Sequence, residues 1–72
     1  MNTNTQADEI LSIALNVADA MDRAESAPSE INQDWDHEST LYTLPDGSVL
    51  VVNGTEVNAY DSMESARSAL DD

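Results

Sequence analysis

The residues most capable of chemistry lie together in one stretch, Asp34-Trp35-Asp36-His37-Glu38. It holds the single tryptophan and the single histidine of the 72-residue chain, among three carboxylates. Such residues can form a metal site, a catalytic centre or the contact surface for a basic partner. Their spacing ranks these three alternatives.

A metal site is the first alternative, because Asp34, Asp36 and Glu38 alternate as oxygen ligands do at the start of a calcium loop. An EF-hand loop also needs glycine at its sixth position and glutamate at its twelfth. Counted from Asp34, those positions hold Ser39 and Pro45. At most a weak, nonspecific divalent site remains, so we predict no metal ligand and no cofactor.

Catalysis is the second alternative, in which His37 would act as an acid or base with Asp36 or Glu38. Neighbouring residues of an extended segment point in alternating directions and seldom converge on one reacting atom. The sequence has no G-x-S-x-G, no H-E-x-x-H and no glycine-rich phosphate loop. A chain this short also has little room for the ~300 Å³ pocket of a small-molecule site. We therefore predict no catalytic residue and no enzyme.

Charge is the strongest feature of the composition. Fifteen acidic residues stand against two arginines and no lysine, which gives a formal net charge of −13. With so few cations, counterion release cannot supply affinity for nucleic acid. The same charge repels anionic membranes and attracts basic protein surfaces. We therefore predict a basic protein surface as the partner, with no direct binding of nucleic acid or membrane.

Neither a membrane span nor an export signal is predicted. The longest apolar run, Val49 to Val52, is far shorter than the ~20 residues that cross a bilayer. The N-terminal MNTNTQADE has neither the basic region nor the apolar region of a signal peptide. The expected location is the cytoplasm.

The elements that position these residues are predicted to form one small α+β domain over 1–72, in the order α-β-β-β-α. A three-stranded antiparallel meander, 40–60, is expected to pack against two helices. Apolar residues at helical spacing predict the first helix over about 5–24. An acidic connection, 25–39, follows it, and the second helix covers 61–70 with Asp61 as its N-cap.

The polar face of the predicted first helix is acidic. It carries Asp8, Asp19 and Asp22, and Asp8 lies almost directly above Asp19 at a distance of ~16 Å along the axis. Leu15 falls inside this face. A single exposed leucine is ordinary in a soluble protein, so Leu15 is either a bystander or a partner contact.

Strand alternation predicts two unlike sheet faces, provided that Asp46-Gly47 and Asn53-Gly54 are two-residue turns. The face against the helices then collects Leu41, Thr43, Leu50, Val52, Val57 and Ala59. The opposite face collects Tyr42, Leu44, Val49, Val51, Glu56, Asn58 and Tyr60. Because tyrosine is favoured at interfaces, the second face predicts a homodimer or a partner contact through Tyr42, Glu56 and Tyr60. The alternatives are that the connection 25–39 or the first helix covers this face, or that a bulge in the second turn shifts the register.

Trp35 has two interpretations. It either seals the sheet against the first helix or forms the aromatic anchor of an interface. Beside Asp34, Asp36 and Glu38, it is predicted as a partner contact.

Size, acidity and a compact α/β build resemble those of small acidic inhibitors encoded by phages and mobile elements, notably anti-CRISPR and anti-restriction proteins. The resemblance covers the whole chain in type, and neither DWDHE nor LPDGSVLVVNG is a motif of one family. It implies charge mimicry and steric occlusion of the basic nucleic-acid channel of a CRISPR surveillance complex or similar defence nuclease, in the host cytoplasm. Two other classes stay open: an antitoxin-like or adaptor module for another basic protein, and a host domain with a halophilic acidic surface.

Overall fold

A four-stranded antiparallel sheet lies between helices on both of its faces. The computed structural model describes residues 5–27, 30–34 and 38–71. The elements follow in the order α1 (Gln6–Ile13), α2 (Val17–Ser26), β1 (Glu30–Asp34), β2 (Ser39–Thr43), β3 (Val49–Asn53), β4 (Glu56–Tyr60) and α3 (Met63–Asp71). The strands are arranged β1-β2-β3-β4, so each pairs with its neighbours in sequence. The α+β class is confirmed, whereas the predicted order α-β-β-β-α lacks one helix and one strand.

The predicted first helix is two helices, and the break lies just before Asn16. The first begins at the expected N-cap, where Thr5 Oγ1 accepts a hydrogen bond from the Asp8 N–H at 3.1 Å. Asn16 begins the second in the same way, because its Oδ1 accepts from the Asp19 N–H at 2.8 Å. The Asn16 backbone is extended, with φ −163° and ψ −177°, which ends any continuous helix at this point.

The break lets both helices lie along the same sheet face. Helices of eight and ten residues span ~12 Å and ~15 Å, close to the ~17 Å of a five-residue strand. Ala7 and Ile10 of α1 and Ala20 and Ala24 of α2 are all buried in one core cluster. A single helix of twenty residues would be ~30 Å long and would extend past the sheet.

The strand β1 lies inside the segment predicted as an acidic connection, 25–39. It pairs with β2 so that Ile31 faces Tyr42 and Gln33 faces Thr40. Across the second pair, Thr40 Oγ1 donates a hydrogen bond to Gln33 Oε1 at 3.2 Å. Because β1 is an edge strand, it tolerates polar residues and gives little sequence signal.

The connection between β2 and β3 has one residue more than predicted. Its central residues are Pro45, Asp46 and Gly47, closed by hydrogen bonds from Gly47 N–H to Leu44 O and from Leu44 N–H to Ser48 O, both at 2.9 Å. Gly47 has φ +90°, as in a type I turn followed by a glycine bulge. The extra residue shifts the register by one, so every side chain of β2 changes face.

This shift distributes the apolar residues over two cores. Under α1 and α2 lie Tyr42, Leu44, Leu50 and Val52. Leu41, Val49 and Val51 lie on the opposite face under α3, together with Ala66 and the partly buried Tyr60, Met63 and Leu70. The predicted exposed face is therefore wrong. Its residues Tyr42 and Leu44 lie under α1 and α2, and Val49, Val51 and Tyr60 lie under α3. A homodimer through an exposed face of the sheet no longer has that face to support it, and the oligomeric state stays a prediction.

Two local predictions shift by one residue. The turn between β3 and β4 has Gly54 and Thr55 at its centre, because Asn53 pairs with Glu56. Gly54 has φ +59° at the first central position, as a type II′ turn requires. The N-cap of α3 is Ser62 and not Asp61, since Ser62 Oγ accepts from the Ser65 N–H at 3.1 Å. No helix within the described residues is long and apolar enough to span a membrane.

Candidate binding site

The first two helices form the walls of an open cleft of about 750 Å³, which we call the acidic cleft. The expectation that so short a chain has little room for a ~300 Å³ pocket is therefore wrong. One side comes from α1, the other from α2 and the residue that follows it, and the turn between β2 and β3 contributes one carboxylate. The lining residues are Gln6, Glu9, Ile10, Ile13, Asp19, Asp22, Arg23, Ser26, Ala27 and Asp46. Four carboxylates thus face a single guanidinium.

Two of the charged groups in the cleft neutralise each other. Asp19 Oδ2 accepts hydrogen bonds from the Leu15 N–H and from Arg23 Nε, each at 3.0 Å. The Leu15 N–H and the Arg23 guanidinium hold the pKa of Asp19 below its ordinary value. Asp19 is therefore a structural carboxylate that fixes the start of α2, and Arg23 is already paired.

The carboxylate of Asp46 is also occupied, because it ties α1 to the sheet. Its Oδ2 accepts from the Gln6 N–H at 2.7 Å, and its Oδ1 accepts from the Ser48 N–H at 2.9 Å and from the Ser48 hydroxyl. The Ser48 hydroxyl in turn accepts from the buried Ala7 N–H at 3.0 Å. The bonds from Ser48 and Gln6 lower the pKa of Asp46. Free N–H groups in the first turn of α1 are thus satisfied by the β2–β3 turn.

The remaining carboxylates of the cleft, Glu9 and Asp22, are available. Both are exposed, and neither makes a side-chain hydrogen bond or ion pair with another described residue. They therefore supply uncompensated negative charge on opposite walls, one from α1 and one from α2.

Apolar side chains lie beside these carboxylates. Ile10 is buried, whereas Ile13 is 50% exposed and lines the cleft. Leu15 lies between the two helices, and its side chain is 87% exposed. Its own backbone N–H donates the hydrogen bond to Asp19. A charged cleft with an apolar rim is the result.

The sequence-predicted contacts on the helices are partly separated by the fold. Asp19 and Asp22 line the acidic cleft, whereas Leu15 does not line it and is linked to it only through the hydrogen bond from its N–H to Asp19. Asp8 lies outside it, and its Oδ2 accepts from the Thr5 hydroxyl at 3.0 Å within the capping box of α1. The predicted alignment of Asp8 above Asp19 is wrong because the two residues belong to different helices.

The predicted aromatic contacts lie in the two cores. Tyr42 is 2% exposed, so it cannot contact a partner on the surface. Burial raises the pKa of its hydroxyl, and the Glu25 carboxylate hydrogen-bonded to it raises that pKa further. Tyr60 is partly buried beside Met63 and Leu70.

The remaining predicted contacts lie at the strand ends. Glu56 is exposed where β4 begins, and Glu38 is exposed just before β2 with φ +53°. Asp34 pairs with Ser39 at the end of β1, and its side chain lies outside the description. Trp35 and Asp36 also lie outside the described residues.

Sequence reasoning missed Glu9, Ile13 and Asp46 as parts of the site. The acidic cleft exists because the chain breaks before Asn16, and the signal was the Asn16-x-x-Asp19 pattern that begins a second helix. The sequence indicates Asp46 only as a turn residue, although a carboxylate is well suited to bind N–H groups at a helix N-terminus.

Acidity extends beyond the cleft over the whole described surface. Every carboxylate with a described side chain is exposed except the partly exposed Asp19. Within residues 5–27, 30–34 and 38–71, no group of three or more histidine, aspartate or glutamate side chains is placed to hold a metal ion. Comparison of the chain with protein families, curated proteins and solved structures found no match.

Proposed function

We propose that this chain is an acidic inhibitor that binds the basic nucleic-acid-binding surface of a CRISPR surveillance complex or a similar defence nuclease. It blocks DNA binding by charge mimicry and steric occlusion. The observation that carries the proposal is the exposure of nearly every described carboxylate, on helices, strands and turns alike.

The spacing of these charges supports mimicry of a nucleic acid. Twelve carboxylates with described side chains, less two arginines, leave ten net negative charges along a longest extent of 34 Å. That is one net charge per about 3.4 Å of length, which is the spacing along one strand of B-DNA, ~3.4 Å. A basic channel therefore meets a line density of charge similar to that of a single strand and about half that of a duplex, which carries one charge per ~1.7 Å.

Most of these carboxylates also stand on regular elements, which hold them in fixed positions. Glu9, Asp22, Glu30, Glu56 and Glu64 come from five different elements. Pre-positioned charges bind without the ordering cost that a flexible acidic tail would incur. The fold thus presents a rigid negative surface.

The test is capture of partners from a bacterial lysate by the immobilised chain at low salt. We expect recovery of a nucleic-acid-binding complex that short duplex DNA releases more efficiently than sodium chloride of the same ionic strength. A basic partner that salt releases and duplex DNA does not would overturn mimicry and support an antitoxin-like or adaptor module.

A triple variant, Glu30→Gln with Glu56→Gln and Glu64→Gln, measures the contribution of distributed charge. Binding to the captured complex should weaken, and the slope of log K against log salt should become shallower. The matched control carries aspartate at the same three positions, which keeps the charge and should keep the slope. Equal slopes for the two variants would contradict a role for the general field.

The stability of the fold at low ionic strength distinguishes the proposed inhibitor from a host domain with a halophilic surface. A surface adapted to high salt needs its carboxylates screened and should lose structure at low ionic strength. The proposed inhibitor should keep its circular dichroism spectrum at low salt and bind its target more tightly there. Unfolding on dialysis into low salt would sink the proposal.

A further inference from the structure

The half-exposed Ile13 lines the acidic cleft, and the exposed Leu15 donates its N–H to the lining residue Asp19. Carboxylates beside exposed apolar side chains have the chemistry of a docking site. We propose that the acidic cleft binds an arginine-bearing amphipathic segment of the partner protein. The inference rests on the proposed function and deepens it, because it names the contact that orients a partner otherwise attracted by general charge.

Two carboxylates of the cleft are free to bind a cationic side chain of another protein. Asp19 is paired with Arg23, and Asp46 accepts backbone and hydroxyl hydrogen bonds. Glu9 and Asp22 keep their full acceptor capacity, one on each wall of the cleft. A guanidinium donates through a planar fork that suits carboxylates, which favours arginine over lysine as the inserted side chain.

The apolar part of the cleft fits the rest of such a segment. The methylene stem of an arginine can pack on Ile10 and the half-exposed Ile13, while its charged end reaches the carboxylates. Leu15, at 87% exposure, offers its side chain to an apolar residue on the same face of the segment. A purely electrostatic surface has no need for these side chains.

Charge excludes a second copy of this chain as the occupant. Each copy carries a net charge of −13, and its two arginines give it too few cations to neutralise the cleft of a neighbour. Like charges placed together repel, so self-association through this site is disfavoured. A basic segment from a different protein satisfies both the carboxylates and the apolar rim.

The test is a titration of the ¹⁵N-labelled chain with a short acetylated and amidated peptide that carries arginine and leucine at helical spacing. We expect saturable shifts of the amides of Glu9, Ile13 and Asp22, and weaker binding of the same peptide with lysine in place of arginine. Shifts spread evenly over the surface would overturn the proposal.

Paired variants isolate the cleft from the general field. Glu9→Gln with Asp22→Asn should weaken peptide binding at least ~tenfold, as expected when charged hydrogen bonds worth ~1.5 kcal/mol or more are lost. The control, Asp61→Asn with Glu64→Gln, makes the same charge change near α3 and should shift the affinity less than ~threefold. Equal effects of the two pairs would refute a specific site.

The apolar rim has its own variant. Leu15→Ser should weaken peptide binding several-fold at unchanged salt dependence, and the high exposure of Leu15 means that the amide spectrum should otherwise be unchanged. An unchanged affinity would remove the apolar contact from the proposal.

Capture of the partner by the Glu9 and Asp22 variant shows whether the cleft proposal or the proposed function has failed. If the Glu9 and Asp22 variant still retains a complex that duplex DNA releases, the inhibitor function stands and the cleft proposal fails. If the peptide binds in the cleft and duplex DNA does not release the partner, the cleft stands and nucleic-acid mimicry fails.

Discussion

Replacing Ser48 with alanine tests how α1 is attached to the sheet. Ser48 is fully buried, and its hydroxyl accepts from the buried Ala7 N–H while donating to Asp46. Ser48→Ala leaves the Ala7 N–H without its partner. A buried N–H without a hydrogen-bond acceptor lowers the free energy of unfolding by ~1–3 kcal/mol. Loss of the bond to the exposed Asp46 adds less, since water replaces it.

We therefore expect the free energy of unfolding to fall by about 2 kcal/mol. A domain of 72 residues has a total stability of roughly 4–11 kcal/mol, so the loss is a large fraction. At ~4–8 °C per kcal/mol for a domain of this size, the melting temperature should drop by roughly 8–16 °C. Urea titration and thermal melts followed by circular dichroism measure both quantities.

The matched control is Ser68→Ala on the exposed surface of α3, which should change stability by less than ~0.5 kcal/mol. In a double-mutant cycle, Asp46→Ala should cost less in the Ser48→Ala background than alone, because the two groups act together. If Ser48→Ala and Ser68→Ala had equal effects, the side chains of the β2–β3 turn would not be what holds the start of α1.

Three further predictions concern local structure. Asn16→Ala should destabilise the chain by ~1 kcal/mol in urea titration by removing the N-cap of α2, whereas Asn16→Asp should keep most of the stability. Gly54→Ala should lower the free energy of unfolding by ~1 kcal/mol in the same assay, because φ is +59°. The space around Gly54 is open, so this cost comes from backbone strain and not from a steric clash, and Gly54→Asn should cost less. The pKa of Asp46 is lower in the folded state than its ordinary value of 3.8, so the ionised carboxylate stabilises the fold. This stabilisation is present above about pH 4 and is lost as the pH falls through the folded-state pKa. The stability of Asp46→Asn should therefore depend less on pH than that of the parent between pH 5 and 2, and parallel curves would contradict the assignment.

The elements with strong local signals were predictable from sequence. The strands β3 and β4 lie within the predicted range 40–60, β2 begins one residue before it at Ser39, and α3 lies close to its predicted limits. Pro45 and Gly47 indicate the first turn, Asn53 and Gly54 indicate the second, and Met63, Ala66 and Leu70 stand at helical spacing in α3. These signals depend on a few neighbouring residues, so the sequence alone suffices.

The relation between sheet and helices was not predictable by the same logic. One bulge residue at Gly47 reverses the faces of β2, and turn chemistry alone did not decide between two and three central residues. The run Val49-Leu50-Val51-Val52 held a usable signal, because a strand buried on both faces is apolar without alternation. The alternation of the other strands concealed it.

In the candidate site too, local sequence patterns predict some residues, whereas others depend on how the elements pack. The polar face of the predicted first helix indicates Asp19 and Asp22 as contacts, and both line the cleft. Glu9 and Ile13 were not chosen, because the cleft arises only when α1 and α2 separate and pack side by side. The prediction that Tyr42 is exposed is wrong, because the register shift turns its side chain into the core under α1 and α2.

The meander has a kinetic consequence. Each strand pairs with the next in sequence, and such hairpins form in ~1–10 μs. The hydrogen bonds from Gln6 and Ala7 to the β2–β3 turn span 40 and 41 residues. Closing a loop of that length carries an entropic cost that local pairing avoids, so we expect α1 to dock after the sheet has formed. Loss of that docking should then accelerate unfolding and leave the refolding rate nearly unchanged.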